Sequence, residues 1–183
     1  MIKELTNPIT DNYKDFKKIL LSDTMPWFYY EKTVPESSNP DMPFFSHILL
    51  RRPDVGTEEN PVIPISNISS TYFETAYFIL KEILDFNNIK FNIIYRMNLN
   101  LTFHTEIKKS EVHIDLGLPH KVVIIYLNTV KNGRTVVLDE MNQKFYSEPK
   151  ENKAIIFDGK HKHYAESPGL YDKKIVMVAN IQW

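Results

Sequence analysis

The sequence predicts a mainly β fold with flanking helices, an α+β class, on three observations. Its 183 residues suit a single domain with a sizeable core, which we expect to span residues 1–183. Residues 1–88 contain two segments with helical spacing of apolar side chains within a loop-rich region. From residue 89 onward, short strand-like segments alternate with turn-forming residues. This second pattern is typical of an antiparallel sandwich or barrel, so we expect residues 89–183 to form a β core.

Two helices are predicted in the first half. Residues 11–21 form a short amphipathic segment, and residues 70–87 form a longer one. The second begins with Thr71-x-x-Glu74, a pattern that resembles a capping box. Its apolar face, which we expect to pack on the main sheet, comprises Phe73, Ala76, Tyr77, Leu80, Ile83 and Leu84.

Between the two helices, the stretch from residue 24 to residue 67 is rich in loops, and from about residue 35 it has no clear periodic element. Loops of this length are often lids or binding loops. The stretch contains two aromatic groups, Pro26–Tyr30 and Phe44–His47. They are candidates for a substrate cleft or for simple packing, and packing is the favoured interpretation.

Eight strands are predicted in the second half. Gly-, Pro- and Asn-containing turns such as Asn132-Gly133 and Asp158-Gly159 separate them. The predicted strands cover residues 89–103, 112–117, 121–128, 134–139, 143–147, 153–158, 161–166 and 173–183.

The composition excludes several classes of protein. The net charge is −1 and no dense basic run occurs, so neither a nucleic acid nor an anionic membrane is indicated as a partner. No stretch is long and apolar enough for a membrane span, and the N-terminus lacks the apolar core of a signal peptide. We therefore expect the chain in the cytosol of the cell that makes it. Because the sequence has no Cys, any transition metal must be held by His, Asp or Glu.

The His113-x-Asp115 pair, followed by His163, is the strongest candidate metal site. Residues i and i+2 of a strand point to the same face, so His113 and Asp115 would project together. The third ligand must come from a distant strand, where His161 and His163 compete, and we choose His163. Two imidazoles and one carboxylate hold Fe(II) on one face and leave the opposite positions open for O2 chemistry. We expect His161 and the three remaining histidines to be solvated or hydrogen-bonded side chains.

Several segments from residue 91 onward resemble the 2-oxoglutarate- and Fe(II)-dependent oxygenases. The likeness is greatest to the small prolyl-4-hydroxylase-like members, including those carried by bacteriophages. The order and spacing of the matching segments agree with those of the family, and this agreement is more specific than any single motif. The matching segments are Tyr95–Asn100, Val112–Asp115, Ile124–Thr129, Asn132–Thr135, Ile155–Gly159, His163 with Ser167-Pro168, and Lys174–Asn180.

The resemblance implies a double-stranded β-helix, the jelly-roll fold shared with cupins, and Fe(II), 2-oxoglutarate and O2 as the reacting partners. It places the iron ligands at His113, Asp115 and His163. A basic residue near the start of the last strand binds the far carboxylate of 2-oxoglutarate in such proteins. Many relatives have Arg there, whereas this chain has Lys173-Lys174. We assign Lys174, six residues before Asn180, and keep Lys173 as the runner-up.

The resemblance also assigns Tyr126 to the same carboxylate, with a packed core aromatic as the alternative. Thr135 and Asn100 are weaker candidates for lining the pocket. The implied reaction is hydroxylation of a C–H bond in a protein residue, prolyl-like, or in a small molecule, with release of succinate and CO2. Asp115 argues against a halogenase, in which Ala or Gly stands at this position.

Three other functions fit parts of the pattern. A cupin-type metal enzyme that does not use 2-oxoglutarate would have no need for a buried cation at Lys174. A binding protein that kept only the fold predicts a degraded metal triad, and the triad is intact. A zinc hydrolase would need a general base beside the metal, for which Glu166 is a poor candidate because it lies in the turn after His163.

Overall fold

The computed structural model describes residues 2–35, 37–53 and 65–183. Within these ranges the chain forms two helices and eleven strands. The helices are α1 (Asp11–Leu20) and α2 (Phe73–Phe86). The strands are β1 (Lys3–Thr6), β2 (Phe28–Tyr30), β3 (Phe44–Arg51), β4 (Asn67–Ile68), β5 (Ile93–Phe103), β6 (Lys121–Tyr126), β7 (Thr135–Leu138), β8 (Lys144–Ser147), β9 (Lys153–Asp158), β10 (His163–Ala165) and β11 (Lys173–Gln182).

The strands form two antiparallel sheets. The main sheet has the order β1-β9-β6-β11-β5-β3-β2, with β4 paired to β3 at one end. The small sheet has the order β10-β7-β8. Every strand pairing is antiparallel. The predicted mainly β class with flanking helices is therefore confirmed, and the described strands do not close into a barrel.

Alternation along the strands of the main sheet separates two apolar cores. On one face, odd-numbered residues of β11 such as Met177 and Ala179 pack with α1 and α2. On the other face, Val176 and Val178 of β11 pack with Val137 of the small sheet. Because the sheet is covered on both faces, its central strands are apolar almost throughout. The face toward the small sheet is also the face on which the candidate site lies.

The structure corrects the loop prediction for the first half. β3 is an eight-residue strand inside the stretch predicted as loop, and it pairs with β5. Ser46 and His47 interrupt its apolar pattern, but both are buried and satisfied. The Ser46 hydroxyl donates to the Leu99 carbonyl oxygen (3.1 Å), and the His47 ring bonds the Pro26 carbonyl oxygen and the Ser70 hydroxyl. The parts of the predicted loop at residues 36 and 54–64 lie outside the described residues.

Two local predictions in the helix and strand assignments were wrong. Residues 112–117 do not form a strand, because only His113 bridges to a neighbour, His163. The capping box is absent, since α2 begins at Phe73 and its cap residue, Tyr72, makes no side-chain capping bond. By contrast, Thr10 caps α1 by accepting a hydrogen bond from the Tyr13 amide at 3.2 Å. Neither helix in the described ranges has the length and apolar character needed to cross a membrane.

Candidate metal centre

Three side chains from two distant parts of the chain converge at one point. His163 opens β10, while His113 and Asp115 lie in the segment before β6. Two backbone hydrogen bonds tie His113 to His163, with N–O distances of 3.1 and 2.9 Å. The Asp115 Oδ1 atom lies 3.7 Å from His113 Nε2 and 3.8 Å from His163 Nε2. One nitrogen or oxygen of each residue lies within 4.8 Å of the others, so all three can reach a single ion.

Hydrogen bonds at the far side of each ring orient the two imidazoles. His113 Nδ1 lies 2.9 Å from the Glu111 carbonyl oxygen, and His163 Nδ1 lies 3.5 Å from that of His161. A carbonyl oxygen only accepts, so each Nδ1 carries the proton and each Nε2 presents a lone pair to the shared point. This is the outer hydrogen bonding that metal-bound histidines usually have.

Two residues from adjacent positions of β5 and β11 hold the Asp115 carboxylate. The Asn180 side-chain amide donates to Oδ2 at 2.8 Å, and the Arg96 guanidinium donates to Oδ1 at 3.3 Å. Burial raises the pKa of the Asp115 carboxyl, but the charges of His163 and Arg96 and the Asn180 hydrogen bond outweigh it and hold that pKa well below its usual range. Asp115 is therefore a carboxylate at neutral pH, ready to bind a cation.

Burial raises the pKa of a carboxyl such as Asp115 but lowers that of an imidazole such as His163. Desolvation of the ring lowers its pKa to about 4, although the Asp115 charge opposes the shift. The ring is therefore neutral at pH 7, as a metal ligand must be. Two neutral imidazole nitrogens, one carboxylate oxygen and no thiolate form a donor set that suits Fe(II) with open positions. The residues present thus fit the metal that the resemblance implies.

The triad lines a cavity of about 1250 Å³. We call the part beside Asp115, Arg96 and Asn180 the metal end, and the part beside Lys174, at the start of β11, the lysine end. Tyr30 and Phe44 also line the cavity, with stacked rings 5.4 Å apart. The other predicted aromatics pack elsewhere; Phe28, for example, stacks on His47.

Lys174 is buried in the cavity wall with 2% of its surface exposed. Its Nζ donates to the Gly133 carbonyl oxygen at 2.8 Å, and no carboxylate of the described residues lies within ion-pair distance. Burial lowers the Lys174 pKa to about 8, with Glu166 opposing the shift. Strand alternation turns Lys173 the other way, and its side chain is exposed. The lysine that lines the cavity is therefore Lys174, whereas the exposed Lys173 is not among its lining residues.

Tyr126 lies on the same face of the sheet, opposite Val176, but is fully buried in the apolar core. Its hydroxyl donates to the Ser147 carbonyl oxygen at 3.3 Å, and burial raises its pKa to about 12. Thr135 and Asn100 both line the cavity.

Three of the remaining histidines, His47, His104 and His120, hydrogen-bond through their rings, as predicted, and His161 does not among the described residues. His104 bonds the Pro168 carbonyl oxygen and His120 that of Leu118. His161 is buried, and its own carbonyl oxygen accepts from His163. Sequence reasoning assigned no role at the metal to Arg96 or Asn180, although both lie in segments that resemble the family, because their position beside Asp115 follows from the strand register.

No protein-family model and no curated protein sequence matches this chain. Solved structures do match it. A 2OG-Fe(II) oxygenase family oxidoreductase from Burkholderia pseudomallei has a TM-score of 0.72 at 12% identity, covering 99% of this chain and 84% of its own. A prolyl hydroxylase from Trichoplax adhaerens, in complex with a hypoxia inducible factor peptide fragment, has a TM-score of 0.65 at 12% identity, covering 99% and 83%.

The non-heme alpha ketoglutarate dependent epimerase SnoN from nogalamycin biosynthesis has a TM-score of 0.65 at 7% identity, covering 99% of this chain and 78% of its own. At these identities the likeness establishes the fold. The jelly-roll fold predicted from the resemblance is thereby confirmed: the chain has the fold of the 2-oxoglutarate- and Fe(II)-dependent oxygenases.

Proposed function

We propose that the chain is an Fe(II)- and 2-oxoglutarate-dependent dioxygenase that hydroxylates a C–H bond. The observation that carries the proposal is one cavity lined both by a converging His113, Asp115 and His163 set and by the buried cation Lys174. A transition metal would bind the His113, Asp115 and His163 set, and a carboxylate of a dicarboxylate would pair with Lys174. The fold shared with enzymes of this chemistry supports the same assignment.

The metal and the cosubstrate would supply the oxidising chemistry, which couples the conversion of C–H to C–OH with the formation of succinate and CO2. The chain's own residues bind and orient. His113, Asp115 and His163 would hold Fe(II), with Asn180 and Arg96 fixing the Asp115 carboxylate. Lys174 would pair with the far carboxylate of 2-oxoglutarate as a point charge, and Tyr126 is a secondary candidate for the same group.

Two other functions are less well supported. A zinc hydrolase needs a free base near the metal, but the Glu166 carboxylate accepts two hydrogen bonds from Arg134, at 2.6 and 3.1 Å. Glu111, also in the cavity wall, accepts from Ser37 and Asn39. Burial of the Lys174 ammonium costs free energy. A cupin-type enzyme that does not bind 2-oxoglutarate would have no carboxylate to offset that cost.

We propose that the substrate is either a prolyl-like residue of a protein or a small molecule. We also propose that the enzyme acts in the cytoplasm, which is the host cytoplasm if the gene is phage-borne. The Trichoplax adhaerens neighbour is a prolyl hydroxylase with a bound peptide fragment, and the SnoN neighbour belongs to nogalamycin biosynthesis, so both substrate types occur on this fold. The cysteine-free composition accords with a reducing compartment. Residues 1–183 would act as one domain, because α1 and α2 share a core with β11.

The test is succinate formation from 2-oxoglutarate by protein loaded with Fe(II) anaerobically and then exposed to O2. We expect succinate from the wild type and none from His163→Ala, because the variant loses a metal ligand. His104→Ala is the matched control, since that ring bonds a backbone carbonyl outside the triad. Absence of 2-oxoglutarate binding by the metal-loaded wild type would contradict the proposal.

A further inference from the structure

The cavity wall carries far more positive than negative side chains. Among the described residues that line it, six are basic: Lys32, Arg51, Arg52, Arg96, Lys162 and Lys174. The acidic residues in the described part of the wall are Glu111 and Asp115, and both are engaged, Asp115 at the metal centre and Glu111 with Ser37 and Asn39. The whole chain has a net charge of −1, so the excess is local to the cavity. Walls of low dielectric concentrate the field of such a cluster on whatever enters.

Three of these residues lie together at the metal end. Arg96 is on β5 with its guanidinium 3.3 Å from Asp115 Oδ1. The neighbouring strand β3 pairs Leu50 with Met97, which places Arg51 and the following Arg52 beside Arg96. We call Arg51, Arg52 and Arg96 the arginine cluster. Like charges that line one cavity repel one another, so an anion between them lowers the free energy of the whole group.

Arg96 has hydrogen-bonding capacity left over. A guanidinium has five N–H donors, and the hydrogen bonds in the described part of the chain use one of them, to Asp115. Its side chain is 28% exposed and lines the cavity. The planar fork of an arginine suits two parallel hydrogen bonds to a carboxylate or a phosphate.

The cavity also has room for a second molecule beside the cosubstrate. Its volume of about 1250 Å³ exceeds the range usual for one small ligand, roughly 300–1000 Å³. A 2-oxoglutarate molecule bound between the triad and Lys174 would leave the arginine cluster free. The aromatic pair of Tyr30 and Phe44 in the same wall offers an apolar surface for the uncharged part of the second molecule.

We propose that the substrate carries an oxyanion, a carboxylate or a phosphate, which binds the arginine cluster beside the metal. This inference rests on the proposed function, because it names the substrate class of the same site. The anion anchors the substrate at the metal end, because Arg96 lies 3.3 Å from the metal-binding carboxylate of Asp115. Lys174 stays reserved for the cosubstrate.

The test measures binding of phenyl phosphate to protein loaded with Mn(II) and saturated with 2-oxoglutarate, by isothermal titration calorimetry. Mn(II) replaces Fe(II) to prevent turnover, and saturation with 2-oxoglutarate keeps Lys174 occupied. Phenol serves as the uncharged counterpart. We expect binding of phenyl phosphate by the wild type and at least about tenfold weaker binding by Arg51→Gln, since a hydrogen bond to a charged group is lost. Arg52→Gln is a second variant in case the first does not fold, as judged by circular dichroism.

Lys18→Gln is the control, because it removes the same charge from an exposed position on α1, and its affinity should match the wild type. The inference is overturned if phenyl phosphate does not bind, if phenol binds equally well, or if both arginine variants bind like the wild type. Succinate formation without phenyl phosphate binding would refute this inference alone. Phenyl phosphate binding by metal-loaded protein that does not bind 2-oxoglutarate would refute the proposed function and leave the anion site standing.

Discussion

At the metal end of the cavity, the Asp115 carboxylate is bonded to Asn180 and Arg96, whereas at the lysine end the Lys174 ammonium bonds, among the residues that the structure describes, only the Gly133 carbonyl oxygen. Both groups are buried, but their pKa values reflect the difference. Surrounding charges outweigh burial and lower the pKa of Asp115, so it stays charged, while burial dominates at Lys174 and lowers its pKa to about 8. In the described part of the chain, the protein stabilises the anion at one end and provides no carboxylate for the cation at the other.

The difference indicates how the two ends take their ligands. The metal end is organised in advance, since each ligand has a hydrogen bond that fixes its orientation. The lysine end carries an unbalanced charge that a carboxylate would neutralise. We therefore expect changes at the metal end to abolish binding, and changes at the lysine end to alter affinity, pH dependence and stability in separable ways.

The largest effect is expected for Asp115→Asn. The amide keeps the shape of the side chain but removes the charge that a divalent ion needs, and loss of an outer hydrogen bond alone typically costs about 10–100-fold in metal affinity. We expect Fe(II) or Mn(II) affinity to fall by more than about 100-fold, measured by anaerobic titration. Asp158→Asn is the control, because that carboxylate pairs with Lys121 on β6 and does not line the cavity. Equal metal affinity in Asp115→Asn and the wild type would refute the metal assignment.

The next largest effect is expected for Lys174→Met, which should separate the two ends. Loss of a charge-assisted contact should weaken 2-oxoglutarate binding by about 10–100-fold, while metal affinity stays within twofold. Removal of the buried charge should also raise the free energy of unfolding at pH 7, by on the order of 1 kcal/mol. Lys173→Met provides a matched control on the exposed side of β11. A weaker 2-oxoglutarate affinity in the control than in Lys174→Met would reverse the assignment.

A third, smaller effect concerns pH. Only the protonated lysine attracts a carboxylate, so 2-oxoglutarate affinity should be flat below about pH 7 and fall about fivefold between pH 8 and pH 9. Stability of the ligand-free protein should change in the opposite direction. Because the folded-state pKa, about 8, lies below the unfolded value of 10.5, the unfolded chain binds more protons between these values, and stability rises with pH through that window. Calorimetric binding and thermal unfolding measure the two trends, and neither should occur in Lys174→Met.

The sequence was sufficient for much of the second half of the chain and for the triad. Period-2 patterns with turn residues between them located β5 to β9 and β11 within a few residues. His113 and Asp115 come together as predicted. The prediction assumed that they lie on one face of a strand, but residues 112–117 do not form a strand. A single backbone bridge from His113 to His163 achieves the same convergence.

The first half was less predictable because tertiary contacts decide its structure. β3 has no regular alternation of buried and exposed residues, and its two buried polar residues, Ser46 and His47, are satisfied by partners distant in sequence. Arg96 and Asn180 likewise become neighbours of Asp115 only through the pairing of β5 with β11. A pattern within one segment cannot show contacts that depend on register between segments.

Tyr126→Phe is expected to give the smallest effect and addresses whether the lysine end has a second anchor. The hydroxyl donates to the Ser147 carbonyl oxygen, so its one proton would have to turn to a bound carboxylate. A hydrogen bond of this kind is worth about 0.5–1.5 kcal/mol, which corresponds to a loss of 2-oxoglutarate affinity of roughly 2–12-fold.

Tyr13→Phe is the matched control for this change. Its buried hydroxyl also donates to a backbone carbonyl oxygen, that of Leu127, but on the helix-covered face of the sheet. Both variants should lose similar stability in thermal unfolding, and only Tyr126→Phe should weaken 2-oxoglutarate binding. If the two variants bind 2-oxoglutarate equally well, Tyr126 is a packed core aromatic, and Lys174 alone holds the far carboxylate.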